Sequence, residues 1–260
     1  ADFVTDRFEL VHAAPRHCPF RGIGGIAIFA LRETIVPDVS RLRPLNILRA
    51  YKALAANAEF LTASIVIASA TGMFYAQATL LPFVMMDAVG LTPTEFGFSM
   101  LFQSGTFMFG SLTMRLLLRW WTPSRLVVPG LCLIVAGSIG LATAPHLLGA
   151  SLLTVMLPVA VSAFGVAYIL PYMLMAGMRP FPHIAGQAAA LTGFMQMGAG
   201  LLGGTIGAFF ADPIWAISAV IPAMGLMSAA AFVLYRRASD KAQRLEADMQ
   251  AAQVIPAPAE

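Results

Sequence analysis

The sequence has 260 residues, of which 58% are hydrophobic and only 11% are charged, and its mean hydropathy is +0.78. Soluble domains carry roughly 25% charged residues, so this composition excludes an ordinary water-soluble fold and indicates a chain that is covered by the lipid bilayer. The formal net charge of +3 does not indicate a nucleic-acid partner, because the basic residues are scattered between apolar runs and form no patch.

The first part of the chain is predicted to be an arm and a cytoplasmic linker over residues 1–52. Residues 1–21 show no helical or strand periodicity, and the apolar run 22–31 is shorter than the roughly 20 residues that a helix needs to cross a bilayer. We interpret that run as the tail of an earlier helix. Residues 45–57 have an apolar helical face, which predicts either a helix lying on the inner membrane surface or a solvated linker helix.

Neither a metal site nor another cofactor is expected. His12, His17 and Cys18 do not have the spacing of metal ligands, and no second ligand pair follows them. Cys18 and Cys132 are interpreted as free thiols, because Cys132 lies within an apolar run. The sequence has no phosphate-binding glycine loop that ends in Lys-Ser or Lys-Thr, which excludes an ATP-driven engine within it.

Six apolar stretches follow between Lys52 and Arg236, and each is about long enough to cross a bilayer as a helix. They cover residues 60–84, 96–118, 126–144, 147–174, 184–211 and 213–235. Helices are the expected form because backbone groups in lipid must bond internally, and no stretch alternates as a barrel strand does. Residues 53–237 are therefore predicted to be an all-α membrane protein, a bundle of six transmembrane helices, and residues 238–260 a cytoplasmic tail.

Arginine and lysine predict the orientation of this bundle. The connections after the first, third and fifth stretches contain no Lys or Arg, whereas the opposite side is basic throughout. The basic residues on that side are Arg41, Arg43, Arg49, Lys52, Arg119, Arg125, Arg179, Arg236, Arg237, Lys241 and Arg244. Because basic connections stay in the cytoplasm, both termini are predicted to be cytoplasmic.

Polar residues recur at intervals of three or four along the first, second, fourth and fifth stretches, which places them on one face of each helix. Polar faces within a membrane usually point into the bundle, so we interpret these four helices as lining a pathway and the other two as supports. The predicted pathway residues are Tyr75, Gln77, Gln103, Thr106, Tyr168, Tyr172 and Gln196. The alternative is that these groups only bond neighbouring helices.

Two further sets of residues have predicted roles outside the pathway. Small-residue spacing in the fifth stretch predicts close helix packing at Gly200, Gly203, Gly204 and Gly207. Basic residues at the inner end of the second stretch predict anchoring and gating by Arg115, Arg119 and Arg125. No Asp or Glu lies in the middle of any stretch, so neither a buried proton carrier nor a membrane-embedded enzyme is expected in this chain.

Several short motifs along the chain resemble those of a known family. They are Leu31-Arg32-Glu33-Thr34, Leu81-Pro82-Phe83-Val84, Gly90-Leu91-Thr92-Pro93 with Phe96-Gly97, Gly110-Ser111 with Arg115, Arg119, Pro123 and Arg125, Leu170-Pro171, Pro180-Phe181-Pro182-His183 with Ala185-Gly186, and Gly193-Phe194-Met195-Gln196. From residue 31 to 237 the chain resembles the drug-resistance transporters of the Bcr/CflA type in the major facilitator superfamily. Met114 and Thr122 depart from the family's pattern in the basic inner loop, and residues 1–21 resemble nothing in the family.

The resemblance implies the C-terminal half of a twelve-helix secondary transporter in the inner membrane of a bacterium. The implied function is drug resistance through efflux of an amphipathic drug or small metabolite by proton antiport. With the first six helices absent, activity is expected only when the chain pairs with a second six-helix bundle or with itself. The alternative is a non-transporting membrane subunit or an inactive gene remnant.

The charge pattern predicts which connections face the cytoplasm. In a background with Cys18→Ser and Cys132→Ser, the variants Asp87→Cys and Asp212→Cys are expected to react with an impermeant maleimide added to intact cells, because their connections lack basic residues. Ser124→Cys is expected to react only after permeabilisation. Labelling of Asp212→Cys from the cytoplasmic side alone contradicts the predicted orientation.

Overall fold

The computed structural model describes residues 44–254, and over that range the chain forms seven α-helices and no strand. The helices are α1 (Pro44–Ala56), α2 (Ala58–Pro82), α3 (Pro93–Leu117), α4 (Pro123–Leu148), α5 (Leu152–Met178), α6 (Ala185–Ala208) and α7 (Pro213–Val254). Residue contacts divide the chain into the units Ala1–Ile47 and Leu48–Glu260, and the second unit is described below. The predictions for residues 1–43, including His12, His17 and Cys18, lie outside the described residues.

The all-α prediction is confirmed for the described part of the chain, and one long helix occupies each of the six predicted stretches. Four helical segments are long and apolar enough to cross a membrane: Ala58–Ala88, Pro123–Leu148, Leu152–Met178 and Pro213–Met249. They indicate a multi-pass membrane protein. α3 and α6 have 25 and 24 residues, so they are long enough as well, but their glutamine, hydroxyl and glycine residues make them less apolar.

The turn predicted at residues 144–147 was wrong, because α4 continues through Pro145 and the chain turns at Gly149, where φ is +82°. Proline has no N–H, so the carbonyl of Leu141 one turn earlier loses its helical donor. The hydroxyl of Ser218 on α7 donates to that carbonyl over 3.2 Å. A hydrogen bond from another helix therefore replaces the one that Pro145 removes, and the helix continues.

Pro82 changes the type of helix without ending it. The chain passes from α2 into a π-helical segment, Phe83–Ala88, after which the Val89 N–H donates to the Val84 carbonyl over 3.0 Å. Because Pro82 offers no N–H to the preceding turn, the wider π-helical turn follows directly after it. The helical segment thereby gains another turn, and that turn contains Asp87.

α2 and α5 are the central helices of the bundle. α4 packs on α5, α7 packs on α2, and α4 and α7 pack against each other. On the other side, α6 packs on α2 and α3 packs on α5. The central helices are antiparallel, since Ala63 lies near Gly177 and Gln77 lies near Ser162. The strongest contacts between helices keep their pattern when α2–α4 are exchanged for α5–α7. The weaker contact of α6 with α7 has no counterpart of similar extent between α3 and α4.

Glycines allow the two flanking helices to approach the central pair closely. Gly200, Gly203, Gly204 and Gly207 all face α2, in register with residues 75–80. A Cβ atom at Gly200 would lie only 2.6 Å from Cβ of Tyr75. Gly110 of α3 faces α5 in a similar way. An added Cβ there would lie 3.0 Å from both Cβ of Ala167 and the carbonyl oxygen of Phe164.

Both ends of the described chain are tied to the bundle at its basic end. Leu54 of α1 is buried with Phe60 and Ala188, so the last turns of this amphipathic helix rest on α2 and α6. At the other end of the chain, α7 continues well past the predicted span as one helix of 42 residues. The hydroxyl of Ser239 in this extension donates to Oε1 of Glu59 over 3.2 Å.

Close packing at Gly200 predicts that alanine is tolerated less well there than at Gly198 of the same helix. Gly200→Ala is expected to lower the free energy of unfolding by about 1–3 kcal/mol, because the new methyl group meets the stem of Tyr75 and not a flexible side-chain end. Gly198→Ala is the matched control, since an added Cβ there meets nothing within 4 Å. Thermal unfolding in detergent measures both variants, and equal losses contradict the packing described.

Candidate substrate pathway

Three polar side chains from three helices form one buried cluster. Nε2 of Gln103 on α3 donates to Oε1 of Gln77 on α2 over 3.1 Å, and Nε2 of Gln77 donates to Oγ of Ser162 on α5 over 3.5 Å. The Ser162 hydroxyl donates in turn to the Val159 carbonyl over 2.8 Å. None of the three side chains is more than 3% exposed. This amide cluster joins the central helix pair to α3.

Two more hydrogen bonds connect the flanking helices to the centre. The hydroxyl of Tyr168 on α5 donates to Oγ1 of Thr113 on α3 over 3.1 Å. The hydroxyls of Ser64 on α2 and Thr192 on α6 are 3.1 Å apart. Of the predicted pathway residues, Gln77, Gln103 and Tyr168 therefore lie in contacts between helices, which is the arrangement that the alternative interpretation describes.

The other four predicted pathway residues are less buried and lie on four different helices. Tyr75 is 38% exposed beside the glycines of α6, and Thr106 of α3 is partly exposed, with its hydroxyl donating to the carbonyl of Gln103. Tyr172 and Gln196 are also partly exposed. The structure thus divides the predicted set into three residues that join helices and four that remain accessible.

A cavity of about 720 Å³ opens at the basic end of the bundle, around the last turns of α5. It contains the predicted residue Tyr172 and four residues that were not predicted for the pathway: Met114, Met175, Arg179 and Tyr235. The sequence did not indicate these residues, because methionine and tyrosine near helix ends are typical of ordinary packing. Arg179 was used only to predict the orientation of the bundle. The predicted gating residues Arg115, Arg119 and Arg125 are exposed at the same end.

The opposite end of the bundle contains few charges, and two of its carboxylates, Asp212 and Glu95, accept hydrogen bonds from backbone N–H groups at the starts of helices. Thr92 and Glu95 form a capping box at the start of α3, with the Thr92 backbone N–H donating to Glu95 Oε2 over 2.9 Å. This bond and a second one from the Thr92 hydroxyl lower the pKa of Glu95. A carboxylate that stays ionised in this way is a poor proton carrier near neutral pH.

Within residues 44–254, no group of three or more His, Cys, Asp or Glu side chains is placed to hold a metal ion. Cys132 is an exposed free thiol. No protein-family model matches the sequence, and no curated protein matches it.

The amide cluster predicts a non-additive pair of substitutions. Gln77→Leu is expected to lower the free energy of unfolding by about 1–3 kcal/mol, because the amide of Gln103 loses its partner in an apolar site. In the Gln77→Leu variant, Gln103→Leu is expected to lower the free energy of unfolding by about 0.5–3 kcal/mol less than it does in the unmodified chain. Thr143→Val is a control, since that exposed hydroxyl bonds only within its own helix. Strictly additive losses in thermal unfolding contradict the cluster.

Proposed function

We propose that this chain is one six-helix half of a secondary active transporter of the major facilitator type in the inner membrane of a bacterium. Its substrate is an amphipathic drug or a small metabolite, which leaves the cell in exchange for protons. The observation that carries the proposal is the matched pattern of the strongest helix contacts in α2–α4 and α5–α7, which we interpret as an inverted repeat. Inverted repeats are common in secondary transporters, where two bundles rock about a binding site near the middle of the bilayer.

The outer surfaces of α3 and α6 support the need for a second bundle. Phe109 on α3 is 62% exposed and Phe194 on α6 is 75% exposed, and α3 and α6 do not pack closely against each other. Thr106 and Gln196 lie on the same two helices and are partly exposed. An amide that faces lipid without a partner costs about 1–3 kcal/mol, so a second bundle that covers this side gains both apolar and polar contacts.

Proton exchange requires a group that the second bundle supplies. In α2–α7 the acidic residues lie near helix ends or in the polar extension of α7, and none lies at the middle of a predicted span. The ionised Glu95 at the start of α3 does not fill this role. Pairing of the chain with itself would therefore support movement of a solute down its own gradient, whereas coupling to protons needs a partner with a carboxylate within the membrane.

A reconstitution experiment tests the proposal. The purified chain is placed in liposomes either at less than one copy per vesicle or as two chains joined in tandem by a flexible linker. Movement of a neutral amphipathic fluorophore is then followed with and without a pH gradient. The tandem-linked chain is expected to move the fluorophore down its concentration gradient, and isolated single chains are expected not to.

Each alternative has its own outcome in this experiment. Proton-linked efflux by single isolated chains contradicts the requirement for a second bundle. No movement by the tandem-linked chain, when its thermal unfolding matches that of the single chain, contradicts transport and favours a non-transporting membrane subunit.

A further inference from the structure

The cavity at the basic end combines an adaptable apolar wall with a few polar groups. Met114, Leu118, Met175 and Met178 supply much of the apolar wall, and the unbranched methionine side chains can adjust to ligands of different shapes. The volume of about 720 Å³ lies within the range of 300–1,000 Å³ that is typical of small-molecule sites. The cavity can therefore accept a flexible apolar chain.

Arg179 gives the cavity its charge. The described residues that line the cavity include no Asp or Glu, and no ion pair of Arg179 is present among residues 44–254. α5 ends and α6 begins beside the cavity, so the negative end of one helix dipole is offset by the positive end of the other. Arg179 is therefore the charged side chain of the described lining, and the Glu59 carboxylate lies outside that lining, beyond Tyr235.

Two phenols complete the polar part of the wall. Tyr172 of α5 and Tyr235 of α7 both line the cavity with Arg179. A phenol hydroxyl can donate a hydrogen bond to an oxyanion, and a guanidinium binds phosphate or carboxylate oxygens in a forked geometry. No anionic side chain lines the described wall. The carboxylate of Glu59 lies beyond Tyr235 and accepts a hydrogen bond from the Ser239 hydroxyl.

The surroundings of the cavity place it at the depth of the lipid head groups. Trp120 and Trp121 follow α3 at the same end and are 77% and 48% exposed. Exposed tryptophans next to arginines are typical of the boundary between lipid and water. A ligand can thus enter with its polar group at this boundary and its apolar chain against the methionines.

We infer that this cavity binds an amphiphile with one anionic head group, a phosphate or a carboxylate. Arg179 binds the head group, and the methionine wall contacts the apolar chain. The Tyr235 hydroxyl is within hydrogen-bonding reach of Tyr172 and Ser239, so Tyr172 is the phenol that donates to the head group. The ligand has two possible sources, an anionic phospholipid of the adjacent leaflet or a dissolved amphipathic anion. This site requires neither a second bundle nor transport.

Binding of two matched detergents to the purified full chain tests the inference. Dodecyl phosphate and dodecyltrimethylammonium have the same chain and opposite charges, and isothermal titration in a neutral maltoside detergent measures each below its micellar concentration. Dodecyl phosphate is expected to bind at least about tenfold more tightly. Arg179→Gln is expected to weaken its binding by about tenfold or more, and Arg179→Glu is expected to reverse the preference.

The control variant is Arg119→Gln, which removes an exposed cation at the same end but outside the cavity lining. It is expected to leave binding of dodecyl phosphate nearly unchanged. An equal loss in Arg119→Gln and Arg179→Gln, or equal binding of the two detergents, overturns the inference. Because Arg179 is exposed, its substitution leaves the core intact, and thermal unfolding verifies that both variants are folded.

The source of the ligand is identified by repeating the titration in two kinds of nanodisc. If a phospholipid occupies the site, dodecyl phosphate binds in nanodiscs of phosphatidylcholine and is displaced when phosphatidylglycerol is included. If the site takes a dissolved anion, both nanodiscs give the same affinity. Both results support an anionic amphiphile and differ only in its source, while absence of binding in both overturns the inference.

Discussion

Polar groups that a helix carries into the apolar layer are stabilised by hydrogen bonds inside the protein, and several such bonds join these helices to one another. The Leu141 carbonyl, which Pro145 deprives of its donor, receives the hydroxyl of Ser218 from another helix. In the same way, the amide of Gln103 donates to the carbonyl oxygen of Gln77, and the amide of Gln77 donates to Ser162. Each of these bonds connects two helices, so satisfying local polar groups also fixes how the helices pack.

Close contact between backbones makes such bonds reachable. Short side chains such as that of Ser162 span a helix interface only if the helices nearly touch, and glycine is the residue that permits this approach. An added Cβ at Gly165 would lie 2.5 Å from the Gly130 carbonyl oxygen, and one at Gly137 would lie 2.6 Å from the Pro158 carbonyl oxygen. α4 and α5 therefore pack as one tight hairpin, and the flanking helices use the same device against the central pair.

The sequence predicts the helices well because apolar length and charge position are local properties. It misplaced the turn near Pro145 because the compensating donor, Ser218, is distant along the chain. Periodicity identified the inward face of each helix, yet it does not distinguish a side that meets another helix, as at Gln77, from one that borders a cavity, as at Tyr172. The cavity around Arg179 combines the ends of several helices, so no single segment predicts it.

The length of α7 has a mechanical consequence. Some 19 of its residues follow Tyr235, and at 1.5 Å per residue they form a rod of about 28 Å. The bond from Ser239 to Glu59 ties the base of this rod to α2, so the rod moves with the bundle. A tilt of about 10° would swing its tip by about 5 Å, which makes the rod a lever that transmits small rotations within the membrane to the aqueous phase.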